Sequence, residues 1–200
     1  AYIVGYEAGK GLRTASNSVI IGSSAGTLHT SGGNSVFIGA SAGDAVTTGA
    51  GNIMIGQGSD SSSATTSYAI AIGVGATAED GGLSMGRSST AVQDSIAIGR
   101  GTTATGIDSV VIGEGATSGT SSTVLGQGAQ SASGGTALGQ GANAASNGIA
   151  LGKGAASTAS AIAIGSSGTP ITLSSGQSGG STTLPVLING TQYYIQIHVP

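Results

Sequence analysis

Cysteine is absent from the 200 residues, which removes disulfides, thiolate chemistry and most structural zinc sites at once. Tryptophan is absent too, and aromatic residues amount to 3%. Charged residues make up 6%, against roughly 25% in soluble domains. With five Lys and Arg scattered along the chain and a net charge of −3, there is no electrostatic footprint for DNA or RNA. Proline numbers only 3 and no Gly-X-Y period exists, so collagen is excluded. No apolar run approaches the roughly 18 residues of a membrane helix, so no membrane insertion is expected. The start, Ala1 to Gly5, lacks a basic region followed by an apolar stretch, so no signal peptide is expected. It enters directly within a repeat, as a fragment or processed product would.

Glycine is plentiful instead, at 39 of 200, and hydrophobic residues reach 38%. The hydrophobic residues are regularly placed, which argues against disorder. An aliphatic residue followed by glycine recurs twelve times. The pairs are Val4-Gly5, Ile21-Gly22, Ile38-Gly39, Ile55-Gly56, Ile72-Gly73, Met85-Gly86, Ile98-Gly99, Ile112-Gly113, Leu125-Gly126, Leu138-Gly139, Leu151-Gly152 and Ile164-Gly165. Long 17-residue units run up to Gly73, and short 13- or 14-residue units follow it. Such self-similarity is the mark of a stacked-repeat architecture.

Three residues before each glycine from Gly22 onward stands a second large aliphatic, from Val19 and Val36 to Ile149 and Ile162, with Thr123 and Thr136 as polar exceptions. Alternation along a strand puts these two positions on one face and the residue between them on the other. That middle residue is also apolar but mostly small, as in Ala71, Ala97, Ala137 and Ala150. A strand apolar on both faces is buried on both. Stacked coils cover one face, and the other calls for a second chain, so oligomerisation is expected.

After each glycine, alternating small residues such as Ala76-Thr77-Ala78 predict a second, narrow strand. Turn formers precede the first strand: Asn17, Asn34, Asp94, Asp108 and Asn147, with Gly81 and Gly134 in register. The extra residues of the long units fall in polar stretches (27–33, 44–51 and 61–67), expected to protrude as loops. The division predicted is a repeat roll over 1–168, a Gly/Ser-rich connection over 169–183 and a terminal hairpin over 184–200. Asn189-Gly190 between two β-rich runs supplies the hairpin signal.

The units Asn34-Ser35-Val36-Phe37-Ile38-Gly39 and Ser95-Ile96-Ala97-Ile98-Gly99 resemble the head repeat of the YadA-like trimeric autotransporter adhesins. The resemblance covers roughly residues 1–168. It implies an all-β, left-handed parallel β-roll of about twelve coils, packed as a homotrimer, here with a C-terminal hairpin cap. Similar repeats occur in bacteriophage tail fibres. The family's neck, heptad stalk and membrane-anchor strands are not seen in these residues, and the ending "INGTQYYIQI" looks like that of phage fibre proteins. The expected function is therefore a trimeric tail-fibre or virion-appendage segment, associated with other virion proteins and binding a bacterial cell-surface receptor, glycan or protein. A bacterial surface adhesin head acting outside the cell is the alternative, and a purely structural spacer the third. An ice-binding role is disfavoured because the threonines form no evident ladder.

Receptor-contact candidates are His29 in a predicted loop and Tyr194, Gln196 and His198 in the terminal segment. No catalytic, cofactor or metal residues are proposed, and enzymatic activity is not expected. General acid and base groups are scarce, with two histidines in all. The adjacent Glu79-Asp80 reads as a solvated turn. The calcium-binding repeat of other β-rolls is missing, and Gly5 to Gly11 lacks the spacing of a phosphate loop. Asn189-Gly190-Thr191 reads as a turn before it reads as a glycosylation sequon.

Overall fold

The computed structural model describes residues 1–14, 17–165, 182–188 and 191–197. Two compact units are present, Ala1–Thr169 and Pro170–Pro200. The first is a parallel β-solenoid of twelve turns. One wall is a twelve-stranded sheet of three-residue strands, one per coil, stacked in chain order. In the long-period half these are β1 (Tyr2–Val4), β2 (Val19–Ile21), β3 (Val36–Ile38), β4 (Ile53–Ile55) and β5 (Ile70–Ile72). In the short-period half they are β7 (Leu83–Met85), β9 (Ile96–Ile98), β11 (Val110–Ile112), β13 (Thr123–Leu125), β15 (Thr136–Leu138), β17 (Ile149–Leu151) and β18 (Ile162–Ile164). Among the described residues the strands of a second wall lie in the short coils, with Asp60 of the last long coil bridged to Thr77 at its edge. This wall is made of two-residue strands: β6 (Thr77–Ala78), β8 (Thr90–Ala91), β10 (Thr103–Ala104), β12 (Thr117–Ser118), β14 (Gln130–Ser131) and β16 (Asn143–Ala144).

Register follows the repeat without slippage. Ile21 pairs with Ile38, Ile72 with Met85 and Leu125 with Leu138. The change from long to short units is absorbed outside the strands. Two glycine-dependent features hold this register. At each repeat glycine φ lies near +135°, a region closed to residues with a side chain. There the next coil's backbone passes so close that a Cβ on Gly73 would sit 2.5 Å from the Gly86 carbonyl oxygen. At the turn before each long strand the chain enters the left-handed region, through Asn17, Asn34, Gly51, Tyr68, Gly81, Asp94, Asp108, Ser121, Gly134, Asn147 and Ser160. Asn and Asp tolerate that conformation and Gly is indifferent to it. The turn column expected from the sequence is thus present, extended by Gly51, Tyr68, Ser121 and Ser160.

The middle residue of each long strand points inward. Ile20, Phe37, Met54, Ala71, Ala97, Val111, Val124, Ala137 and Ala150 are completely buried. Their sizes explain the two periods. The long coils enclose Ile20, Phe37 and Met54, with Val46 beside them, whereas the short coils enclose mainly alanine and valine. The Phe37 ring fits because Gly26 and Gly43 lack side chains; a Cβ on Gly43 would meet the ring at 2.5 Å. The two apolar clusters are separated by a buried polar pair, Ser84 and Ser89, whose hydroxyls lie 2.6 Å apart. Elsewhere buried serines close the turns: Ser95, Ser109 and Ser122 donate to the carbonyls of Val92, Gly106 and Gly119.

The second unit is an antiparallel pair, β19 (Thr182–Ile188) and β20 (Thr191–Ile197), with Ile188 opposite Thr191. The first strand begins at Thr182, ahead of the expected hairpin start at Leu184.

The glycine ladder makes a graded prediction. Gly73→Ala places a Cβ against backbone in a disallowed region and should cost about 3 kcal/mol or more. Gly101→Ala, at φ +62° with open space around its Cβ, should cost only about 1–2 kcal/mol. Chemical denaturation of the two variants beside the parent measures this, and equal midpoints would remove the close-approach argument.

Candidate interaction surfaces and buried ionisable groups

The outward face of the twelve-stranded sheet carries the two large aliphatics of each strand. They are half-buried or exposed although apolar: Met85 is 41% exposed, Ile112 40% and Leu125 39%. Two columns therefore run along the solenoid, with Thr123 and Thr136 as the polar interruptions. The outward face of the narrow sheet is different. It presents Thr77, Thr90, Thr103 and Thr117 in register, followed by Gln130 and Asn143. A threonine ladder over four coils is thus present, contrary to expectation. It is hidden in the sequence because the one longer unit of this half shifts Thr117 by one position.

His29 is not a surface residue. It is completely buried, its ring edge-on to Phe37 with centroids 5.1 Å apart. Nε2 lies 2.8 Å from the Gly32 carbonyl, which fixes the proton on that nitrogen. Nδ1 is buried without a hydrogen bond. Burial holds the imidazole below its ordinary value, and the carbonyls of Gly32 and Val46 only partly oppose this. His29 is therefore excluded as a receptor contact. Its burial was legible at the spacing of the long unit, where Leu12, His29 and Val46 align and the other two pack in the core.

The stretches expected to protrude are tied into the stack. Thr30 N–H donates to the Thr47 carbonyl and Thr47 N–H to that of Ala64. Their exposed residues include Leu28, Thr48 and the run from Ser62 to Thr65. Glu79 and Asp80 anchor this last run: the Ser62 hydroxyl donates to the Glu79 carboxylate and Ser67 N–H to Asp80 at 2.6 Å. The turn reading of that acidic pair therefore has a specific content. Gln196 and Tyr194 lie in β20, while His198 falls outside the described residues.

An acidic pair that adjacency in sequence does not reveal is Asp44 with Asp60, on neighbouring coils. Asp60 accepts N–H bonds from Ala45 at 3.0 Å and Ser61 at 2.8 Å. Its carboxyl is nevertheless pushed up to about 7, first by burial and then by the Asp44 carboxyl beside it. The signal was the repeat itself, since Asp60 stands one position short of a full long coil from Asp44. Among the described residues no group of three or more His, Cys, Asp or Glu is placed to hold a metal ion. No helix there is long and apolar enough to cross a membrane.

These features define a parallel β-solenoid with one aliphatic and one hydroxyl-bearing face. Among solved structures, the chain is similar to the collagen-binding domain of the Yersinia adhesin YadA. Sequence identity is 21%, the match covers 67% of this chain and 76% of that one, and the TM-score is 0.45. No protein-family model and no curated protein matches the sequence.

The two buried groups act in opposite directions with pH. Asp60, raised when folded, contributes stability fully below about pH 4 and loses it as pH rises through about 7. His29, lowered when folded, contributes stability above its ordinary value of 6.5 and loses it as pH falls below that. In Asp60→Asn the decline between pH 4 and 7 should vanish, leaving stability rising with pH towards 6.5. Denaturation midpoints across that range test the assignment, and a slope unchanged from the parent counts against it.

Proposed function

We propose that the chain is a segment of a homotrimeric adhesive fibre. Three left-handed rolls pack through their aliphatic faces and present their remaining surfaces to a receptor. The observation that carries this reading is the doubly apolar long strand: its inner residue fills the solenoid, while its outer aliphatics stay only half-buried or exposed along the twelve-stranded sheet, interrupted at Thr123 and Thr136. Uncovered apolar columns of that length are a site of association. The partner that fits them is a second copy, because it repeats the same rungs at the same spacing of about 4.8 Å. Identical surfaces around a threefold axis then add weak contacts into avidity.

The setting proposed first is a cell-surface adhesin head that contacts host cells or matrix outside the bacterium. A virion tail fibre, assembled with other virion proteins and binding a bacterial surface receptor, is the second reading. It is supported by the antiparallel pair that follows the roll in the sequence. In that case the strand carrying Tyr194 and Gln196, with His198 beyond it, supplies the receptor contacts.

The native mass in solution should be about three times 18.7 kDa. Leu125→Asp, on the outer face and clear of the inner core, should yield a folded monomer near 18.7 kDa with unchanged β signal. A parent protein that is itself a folded monomer would overturn the trimeric reading. Binding to matrix proteins favours the surface adhesin. Binding to bacteria that is lost when Leu184–Pro200 is deleted favours the tail fibre.

A further inference from the structure

The residue after each repeat glycine forms a column of its own. In the short-period half it reads Val74, Arg87, Arg100, Glu114, Gln127, Gln140 and Lys153. Backbone bonds keep the column in step: Gly101 N–H donates to the Arg87 carbonyl at 2.9 Å and Gly115 N–H to that of Arg100 at 3.0 Å. Its side chains therefore stack one coil apart, about 4.8 Å. Where amides stack they bond each other, Gln140 Nε2 donating to Gln127 Oε1 at 3.0 Å.

The two arginines break this self-sufficiency. Arg100 pairs with Glu114, but Arg87 has no hydrogen bond or ion pair among the described residues. Two guanidinium groups thus stand on adjacent rungs, with a single carboxylate on the rung that follows. This occurs in a chain that has only five cationic side chains and a net charge of −3. Like charges one coil apart repel each other. Beside them lies a cleft of about 280 Å³, lined by Arg87, Ser88, Arg100, Gly101, Glu114 and Gly115. Gly101 and Gly115 leave its floor open, with no atom within 4 Å of where a Cβ would be.

We propose that this cleft binds the anionic group of an acidic polysaccharide, with Arg87 as the primary contact and Arg100 shared with Glu114. A planar guanidinium fork suits a carboxylate or sulfate oxygen pair. The Arg100–Glu114 bridge is solvent-exposed, so an incoming anion displaces the carboxylate at little cost. The surroundings favour a sugar polymer over an acidic peptide. The cleft is lined by glycine, serine and charged residues, and offers no aromatic anchor of the kind protein partners use. This deepens the adhesive reading by naming a ligand class, and it rests on that reading for its biological setting only.

The test is binding of the purified 200-residue chain to polygalacturonate (carboxylated), heparin (sulfated) and dextran (neutral), at low and at high salt. Retention on one or both acidic polymers but not on dextran, weakened by salt, is expected. Which acidic polymer is held tells a uronate ligand from a sulfated one. Arg87→Ala and Arg100→Ala should weaken it about tenfold each. Glu114→Gln should strengthen it severalfold, because it frees Arg100; loss of a structural element would not do that. Lys153→Ala, four coils from Arg100 in the same column, should leave it unchanged. No retention on either acidic polymer at low salt would overturn the proposal, as would equal retention by all four variants. Native mass is measured on the same samples: a trimer without retention sinks the cleft alone, and a monomer with retention sinks the fibre reading alone.

Discussion

Everything in the roll depends on how closely successive coils approach at the repeat glycine. A side chain there would run into the carbonyl of the next coil, so the corner admits glycine alone and fixes the height of each turn. With the height fixed, the three residues before the glycine fall into hydrogen-bonding register with their counterparts. Every position of the unit then becomes a column along the stack. Stability in such an array is the sum of neighbouring interfaces. A single glycine substitution accordingly damages two interfaces and leaves distant ones intact.

Coil circumference is a separate variable, set by what the coil must enclose. Alanine and valine need only the short turn. Isoleucine, phenylalanine and methionine need the long one, together with glycines above and below the ring and extra wall residues to close the space. The larger coils are also where ionisable groups become buried, because their wider walls bring His29 inside and stand Asp60 next to Asp44. The stability that His29 loses as pH falls below 6.5 is opposed by what Asp60 regains over the same range. The wider half therefore tolerates mild acid better than His29 alone would allow.

Period and alternation made the solenoid readable from the chain itself. The glycine step defined the coil, the aliphatic positions defined the strand, and the turn formers marked the left-handed column. Less legible was which strand face turns inward, since both are apolar. Side-chain size decides it: Ala97 fits within a thin roll, and Ile96 and Ile98 do not. His29 was misread because a polar residue in a polar stretch suggests exposure. The column it shares with Leu12 and Val46 carried the better information. Asp44 and Asp60, and likewise Arg87, Arg100 and Glu114, are scattered in sequence and adjacent in space. Only counting by coils brings them together.

That geometry also limits the kind of function available. A solenoid lines up the equivalent positions of successive coils in parallel rows. Rows are suited to extended partners that can be met rung by rung. The aliphatic row is the face proposed to meet another roll, the threonine row presents evenly spaced hydroxyls, and Arg87 and Arg100 stand on adjacent rungs of a column that also carries Glu114 and Lys153. Because each coil adds one rung, a change in a single repeat alters one contact in the row and leaves the scaffold in place. A surface of this type can therefore change one contact at a time without refolding.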